Sequence, residues 1–368
     1  MEEWKEYRLG EVLTIKYGKD HKKLLDGDIP VYGSGGIMRY VNNHIYEGPS
    51  IMIPRKGSLN NIMYSDKPFW TVDTMFWSII KTDIVNPLFL YYTIYKKDFA
   101  SLNVGTAVPS LTVPVIEDIL VTIPPLPTQQ KIDNILSSLD DKIEVNRRIN
   151  ENLEAQAQAL FKSWFVDFEP FKDGEFVESE LGMIPKGWRV KRLEEVSKLI
   201  AGGDKPDVVS LNKTDDTPYA IYSNGIDNYG LYGFSDNYRI KEESVTVSAR
   251  GTIGYVCLRE EPYTPIVRLI SVIPDTNFIS AKYMYHSLKI KPIQGTGTTQ
   301  QQLTVPMFRN TLLVIPSQEL MDSFTIKVNS MFELRRNNQQ EISRLASLRD
   351  TLLPKLMSGE VDVNDVKI

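Results

Sequence analysis

Residues 128–166, TQQKIDNILSSLDDKIEVNRRINENLEAQAQALFKSWFV, decide the fold because they carry one long helical pattern. Ten positions in this stretch follow an alternating spacing of four and three residues, and eight of the ten are apolar. These positions are Ile132, Leu136, Leu139, Ile143, Asn146, Asn150, Leu153, Ala157, Leu160 and Trp164. Such spacing is typical of a coiled-coil seam, in which one apolar stripe packs against a partner helix. The stretch therefore predicts a long helix that needs a partner.

The partner helix is predicted 192 residues downstream, where seven of the ten equivalent positions are apolar. These positions are Phe324, Val328, Met331, Arg335, Asn338, Ile342, Leu345, Arg349, Leu352 and Leu356. The first helix ends where a second domain begins and the second helix leaves that same domain, so compact pairing makes the helices antiparallel. About 35 residues at 1.5 Å rise would give a rod of roughly 50 Å, with one domain at each end related by a pseudo-twofold axis.

The sequence also predicts where the two helices start and end and what the polar residues of the seam contact. Thr128 and Ser317 are expected to cap the two helix starts, and Pro354 is expected to end or kink the second helix. A polar residue in a seam costs stability but fixes the register when it meets a polar partner. Asn146 and Asn150 are therefore expected to meet Asn338 or Arg335, the alternative being that they face solvent at a frayed edge.

The segments that flank the helices are also written twice. Arg8-Leu9 corresponds to Arg192-Leu193 at an offset of 184, and Lys56-Gly57 to Arg250-Gly251 at an offset of 194. The motif LTVP stands at both 111–114 and 303–306, an offset of 192. β-Branched and aromatic runs broken by Gly, Asn and Pro indicate extended chain in both copies.

The predicted fold class is therefore α+β: two pseudo-symmetric, mainly-β domains separated by two long antiparallel coiled-coil helices. The predicted segments are a first β domain (1–127), a first spacer helix (128–166), an acidic linker (167–187), a second β domain (188–316), a second spacer helix (317–358) and a C-terminal tail (359–368).

Composition limits the class and location of the protein. A chain of 368 residues with 42% hydrophobic and 24% charged residues is ordinary for a folded protein of two or three domains. Cys257 is the one cysteine, so no internal disulfide forms and a reducing compartment is expected. The first ten residues are charged and no stretch approaches about 18 apolar residues, which argues against export or membrane insertion. We expect a cytoplasmic protein.

The charge distribution permits binding to nucleic acid but does not favour a strong nonspecific grip. The net charge is −5, and the stretch 167–180 alone holds six acids and one base, which also gives −5. The rest of the chain is therefore neutral, and only local basic edges could contact phosphates.

Catalytic equipment is not recognisable in the sequence. His21, His44 and His286 stand in unrelated contexts, and the glycine-rich strings match neither a dinucleotide-binding nor a phosphate-loop pattern. The double proline at 123–126 (IPPL) lacks the polar first and aromatic fourth residues of the amino-methyltransferase motif. We predict no catalytic residue, no metal site and no cofactor on this chain, which binds a partner rather than transforming a substrate.

The repeated motifs resemble the specificity subunit of type I restriction–modification enzymes. The resemblance rests on Trp-x2–3-[Tyr/Lys]-Arg-Leu-x-Glu-Val at the start of each β domain, on both copies of LTVP, on IPPLPTQQ at 123–130, on the helical stretch 128–166 and on LASLRDTLLPKLMSGEVDV at 345–363. These motifs span nearly the whole chain.

The resemblance implies that each β domain is a target-recognition domain that reads one half of a split double-stranded DNA sequence. It further implies that the helices set the spacer and dock two methyltransferase (M) subunits, which hold S-adenosylmethionine and modify adenine. Restriction/translocase (R) subunits would use ATP and Mg. A separation of roughly 50 Å is about one and a half DNA turns, which suits a bipartite site with an unread spacer.

The candidate DNA contacts are polar loops and cationic turns that recur in both domains. The loops 103–114 and 293–306 carry no charge, and their Ser, Thr and Gln side chains can hydrogen-bond to base edges. The turns at 55–58 and 250–252 could contact phosphates through side chains and backbone amides. The predicted DNA-binding residues are Arg55, Lys56, Ser58, Thr106, Ser110, Arg250, Thr252, Thr298, Thr299, Gln300 and Gln301.

Plainer interpretations of these residues stay open. The loops could face solvent or the helices, and the cationic turns could be ordinary surface turns. The strings Tyr32-Gly33-Ser34-Gly35 and Tyr222-Ser223-Asn224-Gly225 could bring backbone near a DNA groove or could be simple hairpin turns.

Three features outside the β domains leave alternatives. The aromatic residues Phe161, Trp164, Phe165 and Phe168 must be covered, either by the second β domain or by a methyltransferase. The acidic linker is expected to be a solvated, mobile connector. The alternative function is a non-catalytic scaffold or adhesion-type protein with tandem binding modules on a helical spacer.

Overall fold

The computed structural model of the chain describes residues 4–296 and 301–366. The chain forms two compact units, unit 1 (Met1–Arg147 with Gln340–Ile368) and unit 2 (Arg148–Gln339). The α-helices in chain order are α1 Leu9–Val12, α2 Pro87–Tyr95, α3 Val113–Glu117, α4 Leu126–Phe165, α5 Leu193–Val196, α6 Ala281–Lys289, α7 Val305–Phe308 and α8 Gln318–Met357. Short 3-10 turns cover Phe99–Leu102, Glu169–Phe171 and Asp227–Gly230.

The β domain of unit 1 contains three sheets. Its strands are β1 Lys5–Arg8, β2 Leu13–Tyr17, β3 Ile29–Gly33, β4 Gly36–Val41, β5 Ser50–Pro54, β6 Met63–Ser65, β7 Trp70–Thr71, β8 Met75–Ile80 and β9 Leu120–Ile123. The sheets have the orders β2-β8-β5-β6, β4-β3-β7 and β1-β9. All pairs are antiparallel except β3 with β7.

The β domain of unit 2 repeats this arrangement. The strands of unit 2 are β10 Phe176–Ser179, β11 Gly182–Pro185, β12 Arg189–Arg192, β13 Ser197–Ala201, β14 Tyr219–Tyr222, β15 Leu231–Ser235, β16 Ser244–Ser248, β17 Val256–Arg259, β18 Tyr263–Pro265, β19 Leu269–Pro274 and β20 Leu312–Ile315. The orders β13-β19-β16-β17, β15-β14-β18 and β12-β20 match the three sheets of unit 1, and β10-β11 is an additional hairpin. The pair β14–β18 is parallel, like its counterpart β3–β7.

The repeat extends to single hydrogen bonds. The Leu9 amide donates to the Ile119 carbonyl over 2.8 Å, and the Leu193 amide donates to the Thr311 carbonyl over 2.9 Å. Helices α2 and α6 start 194 residues apart, and α3 and α7 start 192 apart. The internal duplication inferred from sequence motifs is thus a duplication of topology.

Each unit has a core that joins its β domain to parts of both long helices. In unit 1 the buried residues Phe76 and Phe89 pack in one cluster with Leu136 of α4 and Leu353 of α8. In unit 2 a larger cluster joins Phe161 of α4 and Phe324 of α8 to the sheet residues and to α6. Burial of these large apolar side chains is the main force that fixes each β domain on its helices.

The helices pair antiparallel within each unit. In unit 1 Arg349 of α8 contacts Asp140 of α4 (2.6 Å), and the Asn146 amide donates to Glu341 (2.9 Å). In unit 2 the Asn338 amide donates to the Asn150 side-chain oxygen over 3.0 Å. The residue number on α4 rises as that on α8 falls. The predicted fold class, with two mainly-β domains and two long antiparallel helices, is confirmed.

The structure differs from the expectations at the helix ends and in the linker. Helix α4 begins at Leu126, before the expected cap Thr128. Of the two effects expected of Pro354, an end or a kink, the end is not observed, because α8 continues three residues past it to Met357. Segment 167–187, expected to be a solvated, mobile connector, contains an antiparallel hairpin formed by β10 and β11. Phe168 and Phe171 pack on Trp188, with ring centroids 5.5 and 5.3 Å away, and tie this segment to unit 2.

Candidate nucleic-acid interface

The first candidate turn lies directly against the first candidate loop. The Leu111 amide donates to the Arg55 carbonyl over 2.9 Å, and the Gly57 amide donates to the Pro109 carbonyl over 3.2 Å. Lys56 and Ser110 form an isolated antiparallel bridge. Residues more than 50 positions apart in the sequence are therefore brought together at one edge of unit 1.

This edge has exposed side chains on a turn whose first amides bind within the fold. The amides of Arg55 and Lys56 both donate to the Thr74 carbonyl, over 2.8 and 3.2 Å, so these two amides bind within the fold. Lys56, Ser58 and Thr106 have exposed side chains. The Arg55 guanidinium lies 5.5 Å from the centre of the Tyr17 ring.

Asn103 shapes the loop that carries Thr106. Its side-chain oxygen accepts from the amides of Gly105 and Ser110, both over 2.8 Å. The Val104 amide also donates to the Ser110 carbonyl over 3.0 Å. These bonds close the loop, so Thr106 lies on a defined exposed turn beside Lys56.

The turn and loop of unit 2 meet in the same way. The Leu303 amide donates to the Ala249 carbonyl over 2.8 Å, which repeats the Leu111–Arg55 bond at the predicted offsets. Arg250 is half-buried, while Thr252 and Gln301 are exposed. Thr298, Thr299 and Gln300 lie outside the described residues. The structure thus places Arg250, Thr252 and Gln301 at an edge equivalent to that of unit 1.

The hairpin turns flagged in the sequence lie beside these edges. The side-chain amide of Asn61 donates to the Ser34 carbonyl over 2.8 Å. Gly57, whose φ is +91°, lies so close to Ser34 that an added Cβ would be 2.7 Å from Ser34 Oγ. In unit 2 the Asn224 amide donates to the Arg250 carbonyl over 2.8 Å. The first string forms the two-residue turn between β3 and β4, the second opens the longer loop between β14 and β15, and both border the candidate interface.

Sequence reasoning missed two arginines in unit 2. Arg268 is exposed, has a φ of 71°, and its carbonyl accepts from the Ala249 amide over 2.9 Å. Arg259 is buried on β17 and contacts three groups of the neighbouring strands and loop. Arg268 corresponds to Thr74 in the first half, and Arg259 corresponds to Ser65. Because neither counterpart is cationic, the internal repeat gives no signal for these arginines.

The predicted helix-pairing residues divide between the two units. Buried ones in unit 1 are Ile132, Leu136, Leu139, Ile143 and Asn146, whereas Leu345 and Leu352 are half-buried. In unit 2, Phe324 and Asn338 are buried, and Leu153, Leu160 and Met331 are half-buried. Asn150 contacts both predicted partners, Arg335 through its backbone oxygen and Asn338 through its side chain. Asn146 instead donates to Glu341, whose longer side chain reaches across from the flank of α8.

The aromatic residues at the end of α4 are covered by unit 2. Phe161 and Phe165 are buried, and the Phe165 ring lies 4.8 Å from that of Tyr283 and 5.2 Å from that of Phe324. Trp164 and Phe168 are half-buried against the same cluster. Of the two expected covers, the second β domain is the one observed.

Each β domain is also joined to its helices by a polar network. In unit 1 the Tyr92 hydroxyl donates to Asp140 over 2.6 Å, and Asp140 pairs with Arg349. In unit 2 the Tyr285 hydroxyl donates to Glu154 over 2.7 Å, and Glu154 pairs with Arg335 and Lys289. Burial alone would raise the pKa of Glu154, but the two cations outweigh burial and hold that pKa below its usual value.

The described residues contain neither a metal-binding cluster nor a membrane span. Across 4–296 and 301–366, no three His, Cys, Asp or Glu side chains are grouped so that they could hold a metal ion. Within the same ranges, every helix is too short or too polar to cross a bilayer.

Comparison with known proteins places the chain in one family. The family profile described as "Type I restriction modification DNA specificity domain" matches residues 1–155 and 185–344. The type I restriction enzyme HindI specificity subunit of Haemophilus influenzae is 30% identical over 382 residues, which cover 81% of this chain and 82% of that one. The MjaIX specificity subunit of Methanocaldococcus jannaschii is 28% identical over 350 residues, covering 88% and 80%.

A solved structure agrees in fold. The crystal structure of the type I restriction–modification S subunit from M. genitalium has a TM-score of 0.60 at 17% identity, with 96% of each chain covered. The scaffold or adhesion alternative is not favoured by any of these matches. With two matched specificity domains and a repeated β topology, the chain belongs to the type I restriction–modification DNA specificity family, whose members recognise DNA sequence and are not themselves catalytic.

Proposed function

We propose that this chain is the DNA-reading subunit of a type I restriction–modification complex, in which each β domain reads one half of a bipartite site. One observation carries the proposal: both domains hold the same polar loop against the same cationic turn, through equivalent backbone bonds at Arg55–Leu111 and Ala249–Leu303. A duplicated reader matches a target with two separate halves.

The cationic and the uncharged side chains at each edge have different roles in this proposal. Lys56, Arg250 and Arg268 contact phosphates, which position the domain without reading sequence. The uncharged side chains of Thr106, Ser110, Thr252 and Gln301, with Thr298, Thr299 and Gln300, contact base edges. The neutral overall surface outside the acidic hairpin region suits modest nonspecific affinity and discrimination by base contacts.

The partners in this proposal are double-stranded DNA, two methyltransferase subunits and restriction/translocase subunits. S-adenosylmethionine, ATP and Mg would bind those subunits and not this chain. The long helices α4 and α8 would dock the methyltransferases and set the length of the unread spacer. The cytoplasmic location expected from the single cysteine stays a prediction.

The test is coexpression of the full chain with its partner methyltransferase in a host that lacks adenine methylation, followed by genome-wide mapping of methylated adenines. The proposal predicts one bipartite motif with an unread spacer of fixed length, and no methylation by the methyltransferase alone. Methylation without a motif, or within a single uninterrupted motif, would contradict the proposal.

A further inference from the structure

The loop between β14 and β15 distinguishes the candidate DNA contacts of unit 2 from those of unit 1. In unit 1 the turn between β3 and β4 has two residues, Ser34 and Gly35. In unit 2 the corresponding loop has eight residues, Ser223–Gly230. Since the turns occupy equivalent positions beside the candidate interface, the longer loop adds surface to unit 2 at that place.

The tip of this loop has an unusual backbone. Asn228 and Tyr229 are consecutive non-glycine residues with φ values of 46° and 56°, and Gly230 follows with 79°. Left-handed backbone is unfavourable for residues with a Cβ, above all for a bulky one such as tyrosine. Such strain persists only where surrounding contacts impose it, and it is concentrated at functional positions.

A buried arginine imposes this conformation. Arg259 is 6% exposed, and its guanidinium donates to the Tyr229 carbonyl over 2.8 Å. The same group donates to Thr246 Oγ1 over 2.9 Å and lies 3.5 Å from the centre of the Tyr222 ring. Burying a guanidinium is costly unless its donors are satisfied. Here its contacts go to the loop, to β14, which precedes the loop, and to the neighbouring strand β16.

The arginine and the long loop occur together in one half only. Arg259 pairs with Ser244 in the β16–β17 register, and Ser65 takes its place opposite Ser50 in the β5–β6 register. Unit 1, which has serine there, has the two-residue turn. Arg259 is therefore a support for the loop rather than a requirement of the shared fold.

The loop is anchored at the candidate DNA contacts. The Asn224 amide donates to the Arg250 carbonyl, and the Ser248 hydroxyl donates to the Asn224 carbonyl over 3.2 Å. The exposed Arg268 is attached to the same turn through Ala249. At the loop surface Tyr229 and Ile226 are each 50% exposed, and the Asn228 side chain is exposed as well. The loop that carries an exposed amide and an exposed phenol is thus hydrogen-bonded to the turn that holds Arg250, and the backbone of Arg268 is bonded to the same turn.

We propose that Asn228 and Tyr229 contact base edges in the half-site read by the second β domain, while Arg250 and Arg268 contact the adjoining phosphates. An asparagine amide matches the donor and acceptor pair of adenine, so an A·T pair is the expected target of Asn228. This inference rests on the proposed function, since it names the residues with which unit 2 reads DNA.

Glycine substitutions test the side chains without removing the loop shape. Asn228→Gly and Tyr229→Gly each delete a contacting group while keeping positive φ accessible. The matched control is Tyr238→Ala, which removes a tyrosine 41% exposed in the same domain but outside the loop. Each full-length variant is coexpressed with the partner methyltransferase, and methylated adenines are mapped genome-wide.

We expect each glycine variant to lose roughly 5- to 150-fold in discrimination at one or two positions of one half-site. The other half-site should be unchanged, and the control should keep the wild-type motif. Unchanged discrimination in both glycine variants, or weaker methylation at all sites without a change of motif, would overturn the inference. A wild-type complex that shows no bipartite motif would instead refute the proposed function.

Discussion

Asp133 allows a quantitative prediction because it is a buried acid without a hydrogen-bond partner. Its side chain lies on α4 in unit 1 and is 2% exposed, and neither carboxylate oxygen makes a hydrogen bond within the described residues. Burial raises the pKa of Asp133 from 3.8 to about 7, although the nearby Phe89 amide acts in the opposite direction. The ionised form is therefore unfavourable in the folded state.

The sign and size of the stability change follow from the linkage between protonation and folding. The folded-state pKa of Asp133 lies above the unfolded value. The folded state therefore keeps its full stability below pH 3.8, where Asp133 is protonated, and loses stability as the pH rises from 3.8 through 7. A shift of about 3 units corresponds to about 4 kcal/mol. Asp133→Asn removes the charge at nearly constant volume, so at pH 8 we expect a gain of about 2–4 kcal/mol, reduced by the cost of an unpartnered amide. At pH 4.5 the gain from removing the charge should shrink to about 1 kcal/mol or less.

The assay is urea unfolding of the full chain at several pH values between 4.5 and 8, with hydrogen exchange at α2 and the first half of α4 to localise the change to unit 1. Asp141→Asn, which neutralises an exposed acid on the same helix, is the matched control and should change little. A loss of stability in Asp133→Asn at pH 8, or an equal gain at both ends of the pH range, would refute the reasoning.

Three further perturbations have defined outcomes. Burial lowers the pKa of His286 from 6.5 to about 4, so the stability of unit 2 should fall by up to about 3 kcal/mol as the pH drops from 6.5 to 4. His286→Phe should flatten that fall in urea unfolding, and an unchanged pH profile would contradict it. Lys56→Ala should weaken DNA binding equally for all sequences and reduce the slope of log affinity against log salt concentration by about 1. Lys23→Ala, which removes another exposed lysine of unit 1, is the control and should leave that slope unchanged. Equal slopes for the two variants in fluorescence anisotropy titrations would contradict the phosphate contact. Glu154→Gln should destabilise unit 2 by about 1–3 kcal/mol because it leaves the partly exposed cations Arg335 and Lys289 without their shared carboxylate. A loss below 1 kcal/mol in urea unfolding would exclude that network as a support of α6.

The repeated architecture was predictable because each element depends on local signals. The four-three spacing along α4 and α8 needs only residues within one turn of each other, and the paired motifs needed only comparison of the chain with itself. Helix ends were less predictable. Pro127 is tolerated in the first turn of α4, where its missing amide would have no partner, so the helix starts at Leu126 instead of at Thr128.

The missed features depend on contacts between residues far apart in sequence. Composition alone indicated an acidic connector at 167–187. The β10–β11 hairpin in this segment adjoins residues that pack on Trp188, namely Phe168 and Phe171. Similarly, Arg259 and Tyr229 are 30 positions apart, and only the register of β16 with β17 brings the guanidinium to the loop. A search for residues shared by both halves cannot find a support that only one half has.

The most direct measurement for the central claim is a methylation map of complexes altered in only the first β domain. Thr106→Ala with Ser110→Ala removes two hydroxyls from its recognition loop and leaves unit 2 untouched. If each domain reads its own half, discrimination should relax in one half-site, and that half should be the one left intact by substitutions at Asn228 and Tyr229. Relaxation of both halves together, or of the same half by both sets of substitutions, would contradict independent reading by the two domains.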